Sequence, residues 1–163
     1  MQVNGDTPSE ITTRTTRSEA ETEALGESLA ETLSPSDVVY LVGNLGAGKT
    51  TLARGLARGL GAATREVASP TFSLLNEYAA ANANANAGLR IVLRHLDLYR
   101  LADDPGDLAV LGLPDAVADA PVCVEWPGEA IRRLLPPTVE VTLRPEPGDA
   151  VDARSIRIRR LRR

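Results

Sequence analysis

The sequence predicts a three-layer α/β fold with a mostly parallel central sheet, on three observations. Short apolar runs without periodicity, at 38–42 and 122–124, suit strands buried on both faces. Stretches with leucines at helical spacing alternate with such runs, as a parallel sheet covered by helices requires. The strand at 38–42 leads into the glycine loop Gly43-Asn44-Leu45-Gly46-Ala47-Gly48-Lys49-Thr50 and then a helix, the P-loop order of nucleoside-triphosphate-binding domains. The 163 residues are read as one such domain.

Residues 1–10 are polar and read as flexible, and 11–16 as a short edge strand. Ser18 with Glu21 three residues on forms a capping box, and Leu25, Leu29 and Leu33 give the following helix an apolar stripe. Ser34-Pro35-Ser36-Asp37 ends that helix. After the glycine loop, Leu52, Leu56 and Leu60 recur every four residues, and Gly61 is the expected C-cap. Residues 62–78 read mostly as loop. The Ala/Asn tract at 79–88 has a period of two, but asparagine is a poor strand former and nothing large is available to pack. It is read as a flexible insertion between two strands. Residues 91–97 form a strand ending in His95-Leu96-Asp97, and 101–120 read as loop plus a short helix. Val122-Cys123-Val124 is a buried strand ending in Glu125-Trp126-Pro127, and a short helix at 129–135 is stopped by Pro136-Pro137. Strands at 138–143 and 155–158 are joined by the turn Pro145-Glu146-Pro147-Gly148. Six arginines fall in the last ten residues, and 160–163 are read as a solvated basic tail, with a contact patch for RNA or an acidic protein surface as the alternative.

Lys49 is the only lysine in the chain; arginine fills the other seventeen basic positions. Its place is where a P-loop needs a compact ammonium to reach the β- and γ-phosphates, a task unsuited to a broad planar guanidinium. The glycines allow a nest of inward N–H donors, Thr50 offers a hydroxyl to Mg²⁺, and the helix that follows points its N-terminus at the anion. Hydrolysis also requires acids on the same rim of the sheet, and two stand at strand ends, Asp97 and Glu125. Either suits the metal, leaving the other to orient the nucleophile. Thr71, in Ser69-Pro70-Thr71-Phe72, is read either as a switch-like hydroxyl near the γ-phosphate or as a simple turn residue. His95 is placed either to position water, to partner Asp97 or simply to fill the core. Cys123 is read as a small core residue, and Trp126 as cover at a strand end or a reporter of bound nucleotide. No second lysine exists for a guanine-reading [NT]KxD motif, which disfavours GTP.

A net charge of −4 gives no global attraction to nucleic acid or anionic membrane. A single cysteine excludes an internal disulfide and suits a reducing compartment. No apolar run approaches a membrane span and no signal peptide is visible, so a cytoplasmic location is expected.

Four stretches taken together carry a resemblance: Gly43 through Thr51, Ser69-Pro70-Thr71-Phe72, His95-Leu96-Asp97-Leu98-Tyr99-Arg100 and Glu125-Trp126-Pro127. Their order and spacing closely resemble the TsaE (YjeE) family, small bacterial P-loop ATPases of tRNA threonylcarbamoyladenosine biosynthesis. The resemblance covers roughly residues 16–160. It implies that ATP binds to Asn44, Leu45, Gly46, Ala47, Gly48, Lys49, Thr50 and Thr51, with Thr50 and Glu125 as Mg²⁺ ligands. It further implies Asp97 near the γ-phosphate, Thr71 in a switch-like loop and Trp126 beside the nucleotide. Glu19 and Arg154 would lie near the adenine. The implied partners are the proteins TsaD and TsaB, with tRNA met indirectly through them. Asn44 departs from the family's usual aspartate, and the Ala/Asn tract and arginine-rich end are longer or stronger than expected. Two other readings compete: a small-molecule or nucleoside kinase, in which Arg132 and Arg133 would be lid residues, and a nucleotide-gated binding module without useful catalysis.

Overall fold

A computed structural model describes residues 8–63, 74–81, 90–101, 106, 108, 119–148 and 151–161. Its strands are β1 (Pro8–Thr16), β2 (Val38–Val42), β3 (Leu75–Ala79), β4 (Ile91–Asp97), β5 (Val122–Glu125), β6 (Val139–Pro145) and β7 (Arg154–Leu161). They form one sheet in the order β1-β7-β6-β2-β5-β4-β3. The four central strands, β6, β2, β5 and β4, run parallel. β3 and the β7–β1 ribbon flank them antiparallel, so the mixed sheet has the expected parallel character at its centre.

Among the described residues, the helices with defined bounds are α1 (Glu19–Ala30), α2 (Lys49–Gly59) and α3 (Glu129–Leu134). Side chains alternate across a strand, and β2 uses both faces. Val39 and Leu41 pack into a core with Leu29 of α1 and Leu52 and Leu56 of α2. Val38 and Tyr40 pack on the opposite side with Ile131 of α3. The expected three layers follow from this two-sided burial.

Local chemistry sets the helix ends. The Ser18 hydroxyl accepts the Glu21 N–H, while the Glu21 carboxylate accepts from Arg17 N–H, one residue earlier than a reciprocal box predicts. At the end of α2, Gly61 has φ +81°. There Gly61 N–H donates to Arg58 O at 3.0 Å and Ala62 N–H to Ala57 O at 2.9 Å. This is a Schellman turn, and it uses the glycine identified from the sequence.

α1 and α2 approach at backbone contact. A Cβ on Gly55 would lie 2.1 Å from the Glu23 carbonyl oxygen, and one on Gly26 would lie 2.5 Å from that of Leu52. Arg54 and Arg58 reach across to the Glu23 carboxylate at 2.7 and 2.8 Å. The hydrogen bond from Arg54 is the main reason that this carboxyl is held below its ordinary pKa.

Several sequence readings need correction. The flexible start does not extend to residue 10: β1 begins at Pro8 and pairs with β7 along its length, because β7 presents a complementary ladder. Within 62–78, Leu75–Ala79 is an edge strand beside β4, not loop. At the start of the Ala/Asn tract, Ala79 closes β3 and Ala80 bridges Ala62; positions 82–89 lie outside the described residues. The basic tail does not begin at 160: Arg160 and Leu161 belong to β7, and 162–163 lie outside the described residues. β7 runs to Leu161, and Arg159 donates to Glu140 of β6 at 3.2 Å.

The Tyr40 side chain is fully buried, and its hydroxyl donates to Leu135 O at 2.7 Å, tying β2 to the end of α3. Burial pushes this phenol well above its usual pKa. Tyr40→Phe leaves the carbonyl without that donor and is expected to cost about 1–2 kcal/mol. Urea unfolding should show a lower midpoint with an unchanged slope.

Candidate functional site

The carboxyl ends of β2, β4 and β5 open onto a cavity of about 370 Å³. The loop between β2 and α2 forms its floor. Gly46 and Gly48 adopt φ +75° and +98°, conformations that strain any residue with a Cβ. Gly43 is held by proximity instead: a Cβ there would meet Leu143 O at 2.6 Å. The loop is thus a close-approach cradle at the N-terminus of an eleven-residue helix, which suits a phosphate.

Lys49, the first residue of α2, is only 4% exposed. Its Nζ donates to the carbonyls of Gly43 and Asn44 at 2.8 and 2.9 Å. The same ammonium lies 4.0 Å from the centre of the Trp126 ring. Burial lowers the Lys49 pKa, while Glu125 and Asp97 pull it back upward.

Asp97 and Glu125 are partners in register at the ends of β4 and β5, buried at 3% and 2% exposure. Asp97 Oδ1 accepts the Tyr99 N–H at 3.0 Å, closing the turn that leaves β4. Glu125 Oε1 accepts the Thr50 hydroxyl at 3.0 Å. His95 Nε2 also meets that oxygen, at 2.9 Å. His95 therefore partners Glu125, not Asp97, because the sheet register brings the two strands' inward side chains together.

A hydroxyl and a carboxylate side by side are the hard oxygen donors that Mg²⁺ takes, usually one or two from protein with phosphate and water completing the shell. Among the described residues, no group of three or more His, Cys, Asp or Glu could form a metal cage alone. Thr50 and Glu125 are therefore the residues here that could hold a metal whose shell phosphate and water complete.

After Glu125 the backbone turns sharply. Trp126 has φ +57°, and its ring stands 4.9 Å from that of Tyr99. On the opposite wall, Arg154 of β7 donates through Nε to Ala47 O at 3.2 Å and through Nη2 to Gly46 O at 3.3 Å. An arginine that the resemblance places near the adenine thus braces the loop from β7.

A family model described as threonylcarbamoyl adenosine biosynthesis protein TsaE matches residues 16–156. The chain belongs to the TsaE family. It is similar to the tRNA threonylcarbamoyladenosine biosynthesis protein TsaE of Rickettsia conorii, 39% identical over 130 residues, which are 79% of this chain and 69% of that protein. The Bacillus subtilis protein of the same name is 43% identical over 117 residues, covering 71% of this chain and 66% of its own. The crystal structure of Bacillus subtilis YdiB superposes with a TM-score of 0.68 at 31% identity, covering 94% of this chain and 87% of that one. TsaE membership places this chain in threonylcarbamoyladenosine biosynthesis. No helix among the described residues is long and apolar enough to cross a membrane.

The span matched to TsaE takes in every expected site residue, and twelve of them line the one cavity: Glu19, Leu45, Gly46, Ala47, Gly48, Lys49, Thr50, Thr51, Asp97, Glu125, Trp126 and Arg154. Asn44 contributes its carbonyl to Lys49 but lines a second, more open cavity of about 700 Å³ on another side of Trp126. Thr71 lies outside the described residues. Thr22, Tyr99 and Asp152 also line the first cavity without having been singled out as site residues. Tyr99 stood within a quoted motif, whereas Thr22 and Asp152 carry no local signal. Arg132 is not poised as a lid: it donates to Glu140 at 3.1 Å and lies over the Tyr40 ring.

Proposed function

We propose that this chain is a Mg²⁺-dependent ATPase acting as an accessory factor in threonylcarbamoyl modification of the tRNA adenosine next to the anticodon, through the TsaB–TsaD pair. The supporting observation is the convergence of Lys49, the Thr50–Glu125 pair and Asp97 on one phosphate-sized cradle. Lys49 would leave the Gly43 and Asn44 carbonyls to meet the β- and γ-phosphates, and loop N–H groups would hold the α- and β-phosphates. Thr50 and Glu125 would hold Mg²⁺, whose chemistry is to neutralise charge on the phosphate oxygens. Asp97, in register with Glu125, is then the carboxylate left to orient a water toward the γ-phosphate. Trp126 would flank the phosphates, and Glu19 and Arg154, on the far wall, the adenine. The ties of Arg132 to Glu140 and Tyr40 weigh against a kinase lid.

The test is retention of partners by the immobilised chain with ATP, with ADP and without nucleotide. Capture of the TsaB–TsaD pair in one nucleotide state is expected. Calorimetry that finds no affinity for ATP with Mg²⁺ present would end the proposal, and phosphorylation of a metabolite by the purified chain would replace it with a kinase.

A further inference from the structure

The cavity explains Glu125 and Thr50 but not the histidine behind them. His95 lies on β4 with no exposed surface, on the face that carries Leu93 and Cys123 into the core. An aliphatic side chain would satisfy packing there. The imidazole instead brings a cost: its Nδ1 is buried with no hydrogen-bond partner. Against that orphaned atom stands one polar contact, Nε2 to Glu125 Oε1 at 2.9 Å. An ionised carboxylate only accepts, so the ring nitrogen is the donor in either charge state of the histidine.

We propose that His95 is the positioning residue for Glu125, holding the carboxylate at the metal end of the cavity from behind. This rests on the ATPase reading above. Two donors converge on the same Oε1, the Thr50 hydroxyl and the His95 ring. Thr50 is also the group the loop offers to a metal, and once engaged there it no longer restrains Glu125. His95 cannot turn elsewhere: it sits within β4, paired in register with Cys123, and Tyr78 lies against it with ring centroids 6.4 Å apart. It is therefore the fixed half of the pair. Partners behind metal ligands set ligand orientation, and their loss weakens metal affinity by roughly 10- to 100-fold.

The experiment is an electron paramagnetic resonance titration of Mn²⁺ into the chain loaded with a non-hydrolysable ATP analogue, alongside analogue binding without metal. His95→Leu keeps the bulk and removes the donor; Mn²⁺ affinity is expected to fall by about tenfold with metal-free analogue binding unchanged. His95→Gln returns an N–H near the position of Nε2 and should stay within about threefold of the parent. Should His95→Leu fail to fold, His95→Asn keeps a polar group whose amide stops short of Glu125, and the same loss is expected. Parental Mn²⁺ affinity in His95→Leu, or in His95→Asn where that variant stands in, overturns the proposal. So does an equal loss in His95→Gln, which would assign the effect to packing. A parent chain that binds no Mn²⁺ with the analogue defeats the ATPase reading together with this one, an outcome distinct from a normal parent with indifferent variants.

Discussion

Replacing Glu125 by glutamine is expected to lower ATP turnover by at least roughly a hundredfold while the fold keeps its stability. The amide preserves the shape and one oxygen acceptor for Thr50 and His95, and it removes only the charge that a divalent cation needs. Alanine should cost both activity and stability, since it strands the buried His95 N–H without an acceptor and removes that of the part-buried Thr50 hydroxyl. The comparison separates chemistry from folding. Steady-state phosphate release at saturating Mg²⁺ gives the first quantity and thermal unfolding the second. Parental turnover in the glutamine variant would remove Glu125 from the metal.

Gly55→Val is expected to destabilise the chain by about 3 kcal/mol or more. Helix propensity alone argues the other way, because glycine within a helix costs about 1 kcal/mol relative to alanine. Contact decides the sign. The new Cβ would stand 2.1 Å from the Glu23 carbonyl oxygen, a backbone atom that moves only with the whole of α1. Separating the helices also loosens Arg54 and Arg58 from Glu23 and disturbs α2, whose first residues are Lys49 and Thr50. Differential scanning calorimetry is the measurement, and even Gly55→Ala should unfold earlier than the parent. A raised midpoint in that variant would mean that α1 and α2 have room between them.

The parts legible in the sequence were those whose signals are local. The strand before the glycine loop, the loop, its helix and the Gly61 stop all lie within 24 contiguous residues, Val38 to Gly61, and each follows from spacing or conformational preference. The acids at strand ends were also visible, since Asp97 and Glu125 each close a segment that reads as a strand. β3 was missed because Leu75-Asn76-Glu77-Tyr78 follows no clean alternation and becomes a strand only against β4. The contacts of the C-terminal arginines were not legible because their partners are distant in sequence: Arg159 finds Glu140 on β6, and Arg154 finds carbonyls of the glycine loop. His95 was noticed, but the one acid weighed as its partner was Asp97, near it in sequence, whereas the acid it meets across the sheet is Glu125.

The ribbon of β1 and β7 has a temporal consequence. Pro8 pairs with Leu161 and Thr16 with Arg154, contacts between segments synthesised near opposite ends of this sequence. On a ribosome, the glycine loop emerges long before the strand that supplies Arg154. The loop therefore waits, without the Arg154 brace, until β7 has been made. Pairings so remote in sequence also form slowly. On the proposed function, competence to grip nucleotide would thus arrive late, after translation of β7.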